Sequence, residues 1–312
     1  MKRYGMLLMG IVLALSHPVA QAYDQPAVNL GFTSFLDGAP PAGPGWYFAE
    51  YFHYYYSDTF TDADGSRMMI PNKDFSALRN PRLNVFVSLN QLIYQSNQEV
   101  LLGGKWGVDL IVPIVSINLD PDDMLLTDNG AGLGDILIGP YLQWDPVIRD
   151  GRPVFAHRVE LQCLLPTGRY DKKEALNPGS NFFSFNPYWA ATWFPTAKSE
   201  VSWRIHYLWN ARNHDTGIQA GQAIHLNVAT SYAVIENRLR VGATGYYLGQ
   251  ISDSRLRGQP MPDSREQVFA VGPAVIYSFS QHDHLFFNAY HEFGAENRPE
   301  GQRGILRWVH HF

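Results

Sequence analysis

Cysteine is almost absent. Cys163 is the one cysteine in 312 residues, which excludes an intramolecular disulfide framework. Charge is sparse as well, at 17% of residues, with 24 Lys and Arg against 29 Asp and Glu and a formal net charge of −5. No basic stripe runs along the chain, so no nucleic acid is expected as a partner. After the first 22 residues, no apolar run approaches the ~18 residues of a transmembrane helix. The motifs of soluble catalysis are missing too: there is no Gly-x-Ser-x-Gly elbow and no P-loop. Gly130-Ala131-Gly132-Leu133-Gly134 is glycine-rich but leads into strand-like sequence rather than a phosphate-binding helix. His291-Glu292 begins a zinc-protease pattern, yet position 295 is Ala. Asp62-Ala63-Asp64-Gly65 and Asp120-Pro121-Asp122-Asp123 lack the downstream Glu of a helical calcium loop. His282-Asp283-His284 has ligand chemistry but falls in a predicted tight turn. No metal and no cofactor is therefore expected.

What is present is aromatic and two-sided. Aromatic residues make up 14% of the chain, clustered near the ends of segments whose hydrophobicity alternates. Lys2 and Arg3, the apolar stretch from Met6 to Leu15, and Ala20-Gln21-Ala22 read as a signal peptide over residues 1–22, cleaved after Ala22. From Trp46 onward, strand-like runs alternate with polar breaks. Short breaks fall near 95–99, 196–198, 236–237 and 281–283, with a somewhat longer one at 145–152. Long breaks fall near 57–79, 118–132, 167–184, 213–221, 252–265 and 295–303. Short periplasmic turns alternating with long outer loops is the pattern of a transmembrane barrel. The expectation is an all-β, antiparallel, up-and-down β-barrel of about twelve strands over residues 46–312 in the bacterial outer membrane. Strand starts are predicted near Trp46, Leu83, Leu101, Gly134, Val154, Phe185, Glu200, Gln222, Leu239, Gln267, His284 and Gly304.

Period-2 rows assign the faces. Val201, Trp203, Ile205, Tyr207 and Trp209 oppose Ser202, Arg204, His206 and Asn210. Lys or Arg facing lipid at mid-depth costs roughly 2–4 kcal/mol, so the more apolar row is placed outward. That predicts a lumen lined by Glu50, Lys105, Asp109, Asp135, Arg158, Glu160, Arg204, His206, Arg240, Glu292 and Arg307, with Cys163 on the lipid side. The near balance of signs argues against a charge-selective pore. It fits either a narrow passage or a closed barrel braced by ion pairs. Residues 23–45 are too rich in Pro and Gly for a continuous element. They form either a periplasmic leader or a segment folded back as a lumen plug anchored by Phe32, Phe35 and Leu36.

Several blocks carry a resemblance. Asn29-Leu30-Gly31-Phe32, Asp37-Gly38-Ala39-Pro40-Pro41 and Gly45-Trp46-Tyr47 come first. Gly132-Leu133-Gly134-Asp135 and Gly139-Pro140-Tyr141-Leu142-Gln143-Trp144 follow. Leu165-Pro166-Thr167-Gly168-Arg169-Tyr170-Asp171, Asn177-Pro178-Gly179-Ser180-Asn181 and Asn186-Pro187-Tyr188 complete the set. Together they resemble the family labelled putative MetA-pathway of phenol degradation, over nearly the whole mature chain. The resemblance implies an outer-membrane barrel associated with breakdown of aromatic compounds and kinship with barrels that admit hydrophobic substrates. His310 departs from the apolar residue usual two places before a terminal aromatic.

The functional expectation is a non-enzymatic channel for small hydrophobic, including aromatic, compounds. Its expected partners are outer-membrane lipids, lipopolysaccharide, the barrel-assembly machinery through Phe312, and a small hydrophobic ligand. The alternatives are a structural barrel with a closed lumen, or a lipid hydrolase. The hydrolase would pair Ser88, Ser202 or Ser231 with His53, His157 or His225, which must lie within hydrogen-bond reach of each other.

Overall fold

The computed structural model describes residues 25–39 and 43–312. The expected signal peptide lies outside the described residues, as do Tyr23, Asp24 and residues 40–42. Alternating rows of the kind seen at 201–210 cannot form a helix with one apolar face. They form strands whose two faces differ, because successive Cβ atoms point to opposite sides of a sheet.

Twelve strands close into one antiparallel barrel. They are β1 (Gly45–Thr61), β2 (Arg82–Leu101), β3 (Gly104–Asp120), β4 (Ala131–Leu133 and Ile136–Gln143), β5 (Arg152–Glu160 and Cys163–Leu165) and β6 (Ser184–Phe185 and Tyr188–Trp193). The second half holds β7 (Ser199–Asn210), β8 (Ala223–Ile235), β9 (Leu239–Gln250), β10 (Gln267–Ser278), β11 (Asp283–Glu296) and β12 (Pro299–His311). Each strand pairs with its sequence neighbours. Closure comes from β1, which bonds β2 on one side (Tyr51 opposite Leu89) and β12 on the other (Tyr51 opposite Arg307). A closed ladder leaves no strand edge unpaired in lipid.

The outer wall carries Phe52, Phe86, Ile114, Ile205, Val228, Val271, Phe287 and Leu306, all exposed. Trp46, Tyr94 and Trp106 pack with tilted rings across β1, β2 and β3 at the periplasmic end, with ring centroids 4.9 and 5.4 Å apart. That is one arc of an interfacial girdle. Cys163 faces outward with Ile138 as its ladder neighbour.

Three boundaries differ from the sequence expectation. The break expected at 95–99 is strand, and the chain turns instead at Leu102-Gly103, both at positive φ (52° and 75°). Paired positive-φ residues make the tight turn whose twist matches the flanking strands. The long loop expected at 295–303 is a tight hairpin, with β12 starting at Pro299 rather than near Gly304. Pro is tolerated there because it opens the strand. Ala295 N and Gly301 N donate to the carboxylates of Glu300 and Glu292, so Glu300, within the expected loop, and Glu292, on the strand before it, hold the hairpin. Likewise β1 continues to Thr61, past the break expected from Ser57.

β4, β5 and β6 are each interrupted, at residues 134–135, 161–162 and 186–187. Single hydrogen bonds bridge the gaps, among them Gly134 N to Pro113 O and Asn186 N to Gln162 O. Over the outer mouth, Ile70, Met124, Leu126 and Leu176 from three loops pack with Tyr55, Phe60, Leu83 and Leu119.

Candidate functional site

The lumen gathers most of the residues assigned to it. Asp109, Glu160, Arg204, His206, Glu292 and Arg307 are buried on inward rows, and Arg158 and Arg240 lie on inward rows beside them. Lys105 points inward at the periplasmic rim and pairs with Asp145 at 2.7 Å. Asp135 sits in the β4 interruption rather than on a regular row. There it accepts hydrogen bonds from the backbone N–H groups of Gly168 and Ser180 and from the Ser180 hydroxyl, pinning the loop between β5 and β6.

Glu50 is the exception. Its ladder partners Trp308 and Asn90 lie on the outward rows, so Glu50 faces lipid. β1 is aromatic on both faces, which hid the register: Tyr47, Tyr51 and Tyr55 are the inward, buried set, and Trp46, Phe52 and Tyr54 the outward one. The Ser88 hydroxyl donates to Glu50 Oε1 at 2.7 Å and the Asn90 amide reaches Ser88, so the carboxylate has local partners on the wall.

Inside, charges meet partners. Glu292 accepts from Tyr55, Tyr246 and Arg303 (2.9 Å), and Arg303 also donates to the Leu30 carbonyl. Gln91 donates to both Asp109 oxygens at 3.0 and 2.8 Å, and Tyr51 donates to Gln91. Glu160 takes the Tyr188 hydroxyl and the Gln162 amide. Arg303 and Gln91 were not singled out in the sequence. Arg303 fell in a stretch read as loop, and an amide in an apolar run carries no periodic signal.

Residues 25–39 lie against the inner wall. Gly31 N donates to Asn227 Oδ1 at 2.7 Å, and Tyr290 and Asn288 donate to the Gly31 carbonyl. Gln25 bonds Gln250, Gly221 and Asn210. Arg204 grips Asp37 through Nε and Nη2, and Gly38 N donates to Thr192 Oγ1. Phe35 is buried at 1% exposure. Phe32 packs edge-on against Tyr51 and His53, with centroids 6.0 and 5.0 Å away, and Leu36 is half-buried beside it. Asp37 carried no signal of this role, since nothing periodic marks a residue in a Pro-Gly stretch.

The remaining space is not uniformly wet, as two-sided strands would make it. The inward row of β2 runs Leu83, Val85, Val87, Leu89, Gln91 and Ile93, and that of β3 includes Asp109, Ile111, Pro113, Val115 and Ile117, so the Gln91–Asp109 pair is the polar break in an otherwise apolar wall. On β3 both mid-strand rows are apolar, and on β2 the inward row is the greasier one while Asn84, Ser88 and Asn90 lie on the outward row, so apolar side chains face inward on both strands. They line a cavity of about 1400 Å³ whose walls include loop residues Lys173 and Leu176, segment residues Phe32 and Phe35, and turn residues Asn237 and His282.

Ser-His chemistry does not assemble. Ser88 points outward while His53 points into the lumen on the adjoining row. Ser202 bonds Thr192 and Glu200, Ser231 bonds Glu200 and Arg240, and His225 bonds Asn186. His157 stacks on Trp144. At the periplasmic rim His282 meets His311, His284 meets Ser278, and Asp283 meets His310. Among the described residues, no cluster of three or more His, Cys, Asp or Glu is placed to hold a metal.

The sequence profile of the family described as "Putative MetA-pathway of phenol degradation" matches residues 57–308. Among solved structures, the chain resembles the COG4313 outer membrane channel from Pseudomonas putida F1 at 17% identity and a TM-score of 0.74, covering 92% of this chain and 100% of that one. It also resembles the β domain of the Bordetella autotransporter BrkA (11% identity, 86% and 100% covered, TM-score 0.47) and the CymD monoaromatic hydrocarbon channel (10%, 86% and 89%, 0.43). No functionally curated protein matches the chain. With this fold and an apolar, aromatic-bordered outer wall, the chain is a β-barrel of the bacterial outer membrane.

Proposed function

The chain belongs to the family described as "Putative MetA-pathway of phenol degradation", and we propose that it is a passive channel for small, largely apolar molecules. The single observation that carries this reading is the largely apolar inward rows of β2 and β3 lining the lumen cavity. Ligand sites for apolar molecules are concave and mostly apolar, with a few polar groups that orient. A water-filled pore for ions would need polar walls and an excess of one sign. Residues 25–39 act as the stopper in this reading, narrowing the passage so that solutes pass only along the apolar wall. Contacts with lipopolysaccharide and with the assembly machinery through Phe312 belong to the same reading.

The test is entry of a neutral apolar dye, N-phenyl-1-naphthylamine, into Gram-negative cells with an intact lipopolysaccharide leaflet. Cells carrying the protein should show a faster fluorescence rise than matched cells without it, and equal rates would sink the proposal. The dense hydrogen bonding of residues 25–39 favours a second reading, a closed structural barrel. That reading predicts equal dye rates together with silent reconstituted bilayers.

A further inference from the structure

Most buried cations of the lumen have an acidic partner. Arg204 pairs with Asp37 at 2.6 Å, Arg303 with Glu292 at 2.9 Å, and Arg298 with Glu266 at 3.6 Å. Two do not. Arg158 and Arg307 make no hydrogen bond and no ion pair within the described residues, and the Nε of each is buried without an acceptor. Both stack on ring faces, and Arg158 also feels the charges of Glu160, Asp37 and Asp109 without bonding to any of them. The Arg307 guanidinium lies 3.6 Å from the Phe286 centroid and 5.7 Å from that of Tyr51. The Arg158 guanidinium lies 5.0 Å from Tyr141 and 5.7 Å from Tyr188. Both line the cavity.

Stacking uses the flat face of a guanidinium and leaves its N–H donors, which lie in the plane, free to bind an acceptor. A buried charged donor without an acceptor is costly, and in a cavity a ligand can supply the missing group. The nearby acids are already engaged: Asp109 by Gln91, and Glu160 by Tyr188 and Gln162. Their charge still occupies the lumen, so the space tolerates one added negative charge better than two. Planar, forked donors match a carboxylate. Beside Arg307 runs grease: it is level with Tyr51 and Leu89 across the ladder, and Leu89 with Pro113.

We propose that the cavity selects amphipathic monoanions, molecules with one carboxylate and an apolar body. Arg158 on β5 and Arg307 on β12 are each a docking point for the carboxylate, and the inward row of β2 and β3 takes the apolar body. This rests on the channel reading above and names its substrate class.

The experiment is equilibrium dialysis of the folded full-length mature chain in nanodiscs of neutral lipid. The probes are radiolabelled 4-phenylbutyrate, its neutral counterpart 4-phenylbutanol, and acetate. The acid should bind at least about tenfold more tightly than the alcohol, the scale of a hydrogen bond to a charged group, and acetate should bind far more weakly than either. Arg158→Gln combined with Arg307→Gln should erase the acid's advantage over the alcohol. Equal binding of acid and alcohol by the parent protein overturns the anion selectivity while leaving the channel reading intact. Acetate binding as tightly as 4-phenylbutyrate overturns the amphipathic class. Binding of none of the three overturns this proposal and counts against the channel reading too. The parent comparison decides the matter even if a variant fails to fold.

Discussion

Arg204 on β7 holds Asp37 of the N-terminal segment by two parallel hydrogen bonds, Nε to Oδ2 at 2.8 Å and Nη2 to Oδ1 at 2.6 Å. Both side chains are over nine-tenths buried, and the pair joins residues 167 apart in sequence. Tyr188 lies under the guanidinium, 4.1 Å from ring centroid to carbon. This clasp is an ion pair between residues 25–39 and the barrel wall.

Removing one partner of a buried ion pair costs about 3–5 kcal/mol, because the other charge stays behind. Asp37→Asn should therefore loosen the segment while leaving the twelve-strand ladder intact. Limited proteolysis of folded protein should cut between residues 25 and 39 much faster than in the parent, with unchanged heat-modifiable migration of the barrel. Gly38→Ala should do the same by a steric route. A Cβ there would land on the Thr192 backbone nitrogen and the Ala156 carbonyl. Parent-like proteolysis in both variants would show that the clasp does not hold the segment.

On the outer wall, Glu50 and Ser88 pair within a surface that otherwise faces acyl chains. Replacing both hydrogen-bonding partners with apolar groups can be neutral or stabilising, whereas removing one strands the other. The double variant Glu50→Leu with Ser88→Ala should match or exceed the parent in stability, by up to about 2 kcal/mol. Reversible urea unfolding from lipid vesicles measures this. A clear loss in the double variant would mean that the lipid-facing carboxylate has a stabilising partner beyond Ser88.

Val87 and Val115 face each other across the β2–β3 ladder on the inward rows. Exchanging Val for Thr keeps the shape and adds a hydroxyl, which costs about 1–3 kcal/mol in an apolar setting. If solutes travel along this wall, Val87→Thr combined with Val115→Thr should slow entry of N-phenyl-1-naphthylamine about tenfold. Expression and fold should be unchanged. An unaltered rate would place the path elsewhere.

The outer loops carry a pH-sensitive clamp. Arg79 binds Asp123 through Nε and Nη2, the shortest contact being 2.7 Å. The Arg79 hydrogen bond holds the Asp123 carboxyl below its ordinary value of 3.8. A carboxylate with a depressed folded value stabilises above the unfolded value and loses that contribution as pH falls through the folded one. The clamp should therefore stand at neutral pH and release below the ordinary carboxylate range. Spin labels at Phe75 and Asp122 should report a narrow distance distribution at neutral pH that broadens in acid. Arg79→Gln should give the broad distribution at both. An acid-insensitive distribution in the parent would mean that other contacts hold these loops, such as Lys73 N to Asp123 O.

Alternation in the sequence determined the strands and their faces wherever one row was apolar and the other polar, as at Val201 to Asn210. It also determined the closed architecture, since lipid refuses charge on one row and unpaired backbone everywhere. It placed Arg204, His206 and Glu292 inside for the same reason. It could not orient Glu50, because β1 is aromatic on both faces and a one-residue slip reverses every side chain. Nor could it reveal the greasy inner wall: β3 has two apolar rows and reads the same either way round, and β2 turns its more apolar row inward while Asn84, Ser88 and Asn90 face out, the reverse of what sending the greasier row to lipid assigns. Only closure of β1 onto β12 fixed that register. Tertiary structure alone also brought Asp37 to Arg204 and left Arg158 and Arg307 without acceptors, because such pairings depend on which distant rows meet across a lumen and no local pattern encodes them.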